Sequence, residues 1–142
     1  MSRQAPRSPP YPSDRAAVAV ITVDDQAVFR SVAREVVEAT PGFEPAGEAA
    51  SGEEALELVV AVRPQLALVD VRMPGMDGVE TARRLNAAHP ELVIVLISLE
   101  DPPSEISAAA EPGAMTFARK QDFGPALLRD LWAAHGPGPG GG

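Results

Sequence analysis

The chain has 142 residues, of which 45% are hydrophobic and 23% charged, a balance typical of one globular domain with one core. The net charge of −8 argues against a nucleic-acid-binding surface, because phosphate contacts need clustered Lys and Arg. The chain has no apolar stretch of the ~20 residues that a membrane helix needs, and its N-terminus lacks the apolar segment of a secretory signal. It has no cysteine, which excludes disulfides and thiolate metal sites. The lack of cysteine also fits a cytoplasmic protein.

Proline and glycine mark both ends of the chain. Residues 1–15 contain four prolines, which favour an extended, disordered arm. Within that arm, "PRSPPYP" could serve as a polyproline ligand. Residues 136–142, "GPGPGGG", are predicted to form a disordered tail. The folded body is therefore expected at about residues 16–135.

The first elements of this body alternate between strand and helix patterns. A β-branched run over residues 16–23 ends at Asp24 and predicts a strand. Val28, Val32 and Val36 then recur every four residues, which predicts an amphipathic helix. The following "FEPAGEA" is a weak strand pattern.

The middle of the chain repeats this alternation. Ser51, with Glu54 three residues on, forms a capping box and opens a helix. Its apolar stripe consists of Ala55, Leu56, Val59 and Val60. The strand "LALVDV" follows. A third helix has Val79, Ala82 and Leu85 on its apolar side, with Glu80 and Arg84 paired on its wet side.

The last elements complete five strand–helix units. "LVIVLIS" (92–98) is the most apolar strand, a short alanine-rich helix is predicted at 104–110 between prolines, and "AMTFARK" is the last strand. The final helix is marked by Phe123, Leu127, Leu128 and Leu131. Continuously apolar central strands predict an α/β fold, a parallel sheet with helices on both faces. In such sheets, functional groups gather beyond the carboxyl ends of the strands.

Polar side chains stand at those strand ends. Asp24 and Asp25 follow the first strand, Asp70 ends the third, Ser98 the fourth and Lys120 the fifth. Converging carboxylates would raise one another's pKa, and a hard cation such as Mg²⁺ removes that conflict. With the lysine and the hydroxyl, the set is a cradle for a phosphoryl group on a carboxylate.

This arrangement resembles the receiver domain of two-component response regulators, the CheY-like family, over nearly the whole folded body. The resemblance implies a flavodoxin-like, doubly wound five-stranded parallel sheet of order 2-1-3-4-5. It also implies that Asp70 is the phosphoacceptor and that "MPGMDG" is the turn that follows it. The implied Mg²⁺ ligands are the carboxylates of Asp24, Asp25 and Asp70 and the backbone carbonyl of Arg72, with Asp24 acting largely through water. Ser98 and Lys120 are implied beside the phosphoryl group. Phe117 is implied as an aromatic switch residue.

The resemblance further implies the partners. These are a histidine kinase or phosphotransfer protein and a downstream protein target. The net charge and the lack of a long apolar stretch predict no direct nucleic-acid or membrane binding. A homodimer could form through the helix at 104–110, the last strand and the final helix. The expectation is a stand-alone receiver that is not an enzyme, apart from its own phosphoryl transfer and slow autodephosphorylation.

The sequence departs from the family pattern at several positions. Leu99 stands where a small side chain is usual, and the helix at 104–110 is short. Phe117 lacks a hydroxyl, so any switching would be by packing alone. A role in core or edge packing without switching is an equal alternative for Phe117. Arg72 and Glu100 flank the approach to the phosphoacceptor and could form a bridge of opposite charges across it. Taken alone, Asp24 and Asp25 would be interpreted as a helix N-cap pair.

Two other functions fit parts of the pattern. One is a Mg²⁺-dependent aspartyl-phosphate phosphohydrolase like the haloacid dehalogenases, but Arg72 stands where that family has its general acid. The other is a phosphorylation-independent interaction module on the same fold, which Leu99 and the thin helix at 104–110 keep open.

Overall fold

A computed structural model of the chain describes residues 17–100 and 115–136. Five parallel strands form one sheet in the order β2-β1-β3-β4-β5, which confirms the predicted fold class and strand order. The elements are β1 (Val18–Val23), α1 (Ala27–Ala39), β2 (Phe43–Ala49), α2 (Gly52–Val62), β3 (Leu66–Asp70), α3 (Gly78–Ala88), β4 (Val93–Ser98), β5 (Met115–Arg119) and α4 (Pro125–His135). The predicted arm, the helix at 104–110 and all of the tail beyond Gly136 lie outside the described residues.

The two central strands, β3 and β4, are buried along their whole length. Alternate residues face opposite sides of the sheet, so each strand supplies both cores. Leu66 and Leu68 join the cluster that includes residues of α1 and α4. Ala67 and Val69 join the cluster that includes residues of α2 and α3. Burial on both faces explains why these strands are continuously apolar in the sequence.

The weak strand pattern "FEPAGEA" forms β2, which lies at the edge of the sheet beside β1. An edge strand tolerates Pro45, because one side of its backbone needs no ladder hydrogen bonds. The pairing shifts register between Val20 and Ile21, which pair with Pro45 and Gly47. Position 46 is the extra residue of this bulge.

Helix α1 forms as predicted, but its buried face differs from the expected one. Val28 and Val32 are 77% and 44% exposed, whereas Ala33 and Val37 are buried and Phe29 packs against the same core. Positions 28, 32 and 36 share the four-residue spacing of 29, 33 and 37, so the spacing predicts a helix without showing which stripe faces the sheet.

The helix starts carry the predicted polar contacts. Ser51 Oγ accepts a hydrogen bond from Glu54 N at 3.1 Å, while the Glu54 carboxylate accepts one from Ala50 N at 2.8 Å. In the usual capping box this carboxylate would bind the N–H of the N-cap residue, Ser51, but here it binds the N–H of the residue before it. The Glu80–Arg84 pair is also present, at 2.8 Å. In the predicted stripe of α2, Ala55 and Val59 are buried, Leu56 is partly buried and Val60 is 64% exposed.

The chain leaves the sheet at Arg119, and Lys120 begins a short 3-10 turn that ends at Asp122. Helix α4 begins at Pro125, so Phe123 precedes it and does not form part of its stripe. Leu128 and Leu131 are the buried residues of this helix. Among the described residues, no helix has the length and apolar character to cross a lipid bilayer.

Candidate functional site

Three carboxylates meet at the carboxyl edge of the sheet. Asp24 and Asp25 follow β1 and Asp70 ends β3, and these strands are neighbours that run in the same direction. One carboxylate oxygen from each residue lies within 4.8 Å of those of the other two. Asp24 is fully buried, Asp70 is 5% exposed and Asp25 is partly exposed. The parallel topology therefore produces the acidic cluster.

Several contacts fix Asp24. Its Oδ1 accepts a hydrogen bond from Gln26 N at 2.8 Å, and its backbone carbonyl accepts one from Arg30 Nη1 at 2.7 Å. Its Oδ2 lies 2.6 Å from Lys120 Nζ. The N-cap residue of α1 is Gln26, whose side chain makes no capping hydrogen bond. The N-cap interpretation of the aspartate pair is therefore wrong.

Lys120 follows β5, which lies on the far side of β3 and β4 from β1, and its side chain reaches the acidic cluster. Its Nζ lies 3.6 Å from Asp70 Oδ1 as well as 2.6 Å from Asp24 Oδ2, and its side chain is only 9% exposed. The ammonium also lies over the ring of Phe29, 4.7 Å from the ring centroid. A buried cation next to two carboxylates offsets part of their mutual repulsion.

Asp70 carries an unusual proton affinity. Burial is the largest cause that raises its pKa from 3.8 to about 6, and the negative charge of Asp24 raises it further. The positive charge of Lys120 and the backbone N–H of Arg72, 3.4 Å from Asp70 Oδ1, lower it in part. The carboxylate of Asp70 is thus short of compensating positive charge.

The turn after Asp70 brings α3 tightly against the strand end. A Cβ atom on Gly78 would lie 1.8 Å from the Asp70 carbonyl oxygen, so only glycine fits there. Gly75 has φ +75°, a conformation that glycine adopts without strain. Asp77 then caps α3, since its side chain accepts a hydrogen bond from Glu80 N at 2.9 Å. These residues fix the turn predicted from "MPGMDG".

Ser98 and Phe117 lie on the neighbouring strands. Ser98 is buried one position beyond Ile97, the residue that pairs with Asp70. Its Oγ accepts a hydrogen bond from Glu100 N at 3.1 Å. Phe117 is partly buried and packs against the core cluster between the sheet and helices α2 and α3. Packing is the observed role of Phe117, and its switching role stays a prediction.

Charged and apolar side chains surround the approach to the acidic cluster. Arg72 Nη2 lies 3.2 Å from Glu100 Oε1, with the side chains 69% and 67% exposed, which confirms the predicted bridge. Leu99, 69% exposed, lines a shallow depression together with Val28, Val32 and Lys120. This depression forms an apolar rim beside the cluster.

The donor set fits Mg²⁺. Three carboxylates supply only oxygen atoms, and oxygen ligands are those that Mg²⁺ prefers. Asp24, Asp25 and Asp70 are the residues that would hold the ion. The Arg72 peptide lies beside them through its N–H contact with Asp70, and ligation by its carbonyl stays a prediction.

Sequence reasoning missed two residues around the site. Phe29 covers the Lys120 ammonium, and Arg30 holds the Asp24 carbonyl while its Nε lies 3.4 Å from Glu48 Oε1. Arg34 also pairs with Glu48. Helical spacing could have pointed to both residues. Positions 29 and 30 lie about one turn after the aspartates, and Phe29 is on the same helix face as the buried Ala33 and Val37.

Comparisons with known proteins agree with this geometry. The sequence matches the response regulator receiver domain family over residues 20–131. It is 34% identical over 102 residues to the response regulator GacA of Pseudomonas viridiflava, covering 70% of this chain and 48% of that protein. It is 29% identical over 111 residues to the transcriptional regulatory protein DegU of Brevibacillus brevis, covering 78% of this chain and 47% of that protein. The chain thus spans about half the length, or less, of the curated relatives it matches.

A solved structure gives the same result. The signal receiver domain of NarL from Mycobacterium tuberculosis superposes with a TM-score of 0.70 at 33% identity, covering 81% of this chain and 96% of that chain. Sequence and fold therefore agree over the same region of the chain. The protein belongs to the response regulator receiver domain family of two-component signalling.

Proposed function

We propose that the chain accepts a phosphoryl group on Asp70 in a two-component phosphorelay and signals through phosphorylation-dependent protein binding. One observation carries the proposal: the buried Asp70 carboxylate lies beside two further carboxylates and 3.6 Å from a buried lysine ammonium. A strand end with this set of charges has the anion to attack a phosphorus atom and the cation to bind the oxygens of the transferred group.

The proposed step is a phosphoryl transfer from a nitrogen or oxygen atom of the donor to a carboxylate oxygen of Asp70. An Asp70 carboxylate oxygen forms a bond to phosphorus while the donor's P–N or P–O bond breaks, and the electron pair leaves with the donor. In this step Lys120 pairs with one phosphoryl oxygen, and the Ser98 hydroxyl donates a hydrogen bond to another. Mg²⁺, held by the three aspartates, would neutralise charge on the phosphoryl oxygens.

The donor must bring its phosphoryl group to Asp70, next to the apolar rim that Lys120 helps to line. Val28 and Leu99 are 77% and 69% exposed there, and an exposed apolar patch is a feature of protein-interaction sites. This supports a protein donor, a histidine kinase or phosphotransfer protein. The proposed output surface comprises the predicted helix at 104–110, β5 and α4.

Intact-mass spectrometry after treatment with acetyl phosphate and MgCl₂ tests the proposal. We expect one phosphoryl addition per chain, dependent on the metal and absent in Asp70→Asn. Asp130→Asn, which changes an exposed carboxylate on α4, is the matched control and should be phosphorylated like wild type. An unmodified wild-type mass at millimolar donor and metal would favour the phosphorylation-independent interaction module instead.

A second measurement tests the proposed output surface. Amide hydrogen exchange with and without beryllofluoride should change protection in residues 99–120, because a phosphoryl analogue draws the Ser98 hydroxyl toward it and alters packing around Phe117. Changes confined to the peptides that contain Asp24 and Asp70 would contradict a switch at this surface.

A further inference from the structure

Three neighbours attract the Lys120 ammonium. Two are carboxylates, at 2.6 Å from Asp24 and 3.6 Å from Asp70. The third is the face of the Phe29 ring, with its centroid 4.7 Å from Nζ. Since the Lys120 side chain is only 9% exposed, water contributes little to holding the ammonium. The ring is the one neighbour that carries no formal charge.

A cation over an aromatic face is attracted by the negative potential of the ring, and the attraction is larger where water is scarce. The ring also differs from the carboxylates in a functional respect. Asp24 and Asp70 change their effective charge when a metal or a phosphoryl group binds, but the ring does not. Phe29 therefore offers Lys120 an attraction that stays constant when the charges of the site change.

The position of Phe29 is itself fixed. It lies on α1 and packs against the core cluster beneath that helix. Its ring meets Phe123 with centroids 6.4 Å apart and planes tilted by 53°. Phe123 directly follows the turn that begins with Lys120. The ring thus links α1, which begins after the aspartate pair, to the segment that carries the lysine.

We propose that Phe29 is a positioning residue whose ring face holds the Lys120 ammonium between Asp24 and Asp70. The inference rests on the proposed function of Asp70 as a phosphoacceptor. Without the ring, the short Asp24 ion pair dominates the position of the ammonium. Lys120 then reaches the phosphoryl group less often in the geometry that stabilises its charge.

Four variants separate this role from simple packing. Phe29→Leu keeps apolar bulk but removes the ring, and Phe29→Tyr restores an aromatic face. Phe43→Leu is the matched control, since Phe43 is also partly buried against the same cluster. Phe43 lies at the amino end of β2, whereas the site lies at the carboxyl ends of the strands. Because Phe29→Leu could lower folding yield, pentafluorophenylalanine at position 29 provides a variant of nearly the same shape with the face potential reversed.

The rate of phosphorylation by acetyl phosphate with MgCl₂ is the first readout. We expect Phe29→Leu to slow it about three- to tenfold, in line with the strength of desolvated cation–π contacts, and Phe29→Tyr and Phe43→Leu to stay within about twofold of wild type. The pentafluoro variant should be as slow as Phe29→Leu. In a Lys120→Ala background, Phe29→Leu should produce no further loss.

The second readout needs no phosphorylation. In wild type, the proton resonances of the Lys120 ε-methylene should be shifted upfield by the ring current of Phe29, and the shift should disappear in Phe29→Leu and persist in Phe29→Tyr. A wild-type rate in both Phe29→Leu and the pentafluoro variant, or an equal loss in Phe43→Leu, would overturn the inference. If wild type accepts no phosphoryl group at all, the proposed function fails, and an unshifted methylene resonance would separately show that Phe29 does not hold Lys120.

Discussion

Asp70 is a residue whose charge the native fold disfavours. Its pKa rises from 3.8 to about 6, first because it is buried and next because Asp24 is close. Between these values the native state binds more protons at this site than the unfolded chain, so the free energy of unfolding falls as the pH rises through this window. Well above pH 6 the charge of Asp70 lowers the free energy of unfolding by its full amount. Well below pH 4 the residue is protonated in both states and has no such effect.

Removing the charge should therefore stabilise the metal-free protein. We expect Asp70→Asn to raise the free energy of unfolding at pH 7.5 by on the order of 1–3 kcal/mol, with the gain vanishing toward pH 4. Urea denaturation at a series of pH values in EDTA measures it. Glu100→Gln, which changes an exposed carboxylate nearby, is the control. A gain that does not depend on pH would show that the charge of Asp70 is not the cause.

The Arg72–Glu100 bridge should affect how long a phosphoryl group stays on Asp70. Both side chains are exposed, so the bridge adds little to stability, under ~1 kcal/mol. Hydrolysis, however, needs a water molecule in line with the breaking P–O bond, and each ~1.4 kcal/mol on that barrier changes the rate tenfold. We expect slow decay in wild type and faster decay in Arg72→Ala and Glu100→Ala.

Phosphate release from the phosphorylated protein under constant MgCl₂ measures that decay. Decay at the wild-type rate in both variants would remove the bridge as a gate. Leu99 would then be the remaining side chain at the approach, and Leu99→Ala tests it.

The turn between β3 and α3 determines where Asp70 lies relative to the neighbouring elements. Its geometry depends on Gly78, where a Cβ atom would collide with the Asp70 carbonyl oxygen at 1.8 Å. The collision is with backbone, which cannot move aside like the end of a side chain. The packing of α3 and the placement of the phosphoacceptor therefore depend on the same residue.

We expect Gly78→Ala to destabilise the fold by at least about 2 kcal/mol and to reduce phosphorylation of the remaining folded protein. Gly124→Ala is the matched control, since an added Cβ there meets nothing within 4 Å. Thermal unfolding of the three proteins decides the question. Equal melting temperatures for Gly78→Ala and wild type would contradict the close approach.

At the scale of the whole molecule, metal binding and folding should be coupled. The three carboxylates come together only in the native state, so an ion that they bind stabilises that state alone. At a tenfold excess of Mg²⁺ over its dissociation constant the gain is about 1.4 kcal/mol, which corresponds to a rise of roughly 3–6 °C in melting temperature. Thermal unfolding with MgCl₂ and with EDTA measures it.

Asp25→Ala should abolish this rise, whereas Asp130→Asn should leave it unchanged. An equal rise in Asp25→Ala would show that the ion acts elsewhere. The melt should be followed by circular dichroism, because the single tryptophan, Trp132, lies on α4 and packs against the core beneath that helix, so its fluorescence should report metal binding poorly.

The sequence predicted the elements whose patterns depend on local physics. Apolar runs predicted β3 and β4, because strands covered on both faces must be apolar throughout. Ser51 with Glu54 marked the start of α2, because the cap is made by neighbouring residues. For α1 the spacing was insufficient, since only the approach of the sheet selects Phe29, Ala33 and Val37 over Val28 and Val32.

The candidate site divides in the same way. The sequence by itself placed Asp24, Asp25, Asp70, Ser98 and Lys120 at strand ends, and parallel strands bring their carboxyl ends to one edge of the sheet. Only the tertiary structure showed that Lys120 lies closer to Asp24 than to Asp70 and that Phe29 covers it. Contacts of this kind join side chains far apart in the chain, and their distances depend on how the helices pack on the sheet, which no local pattern specifies.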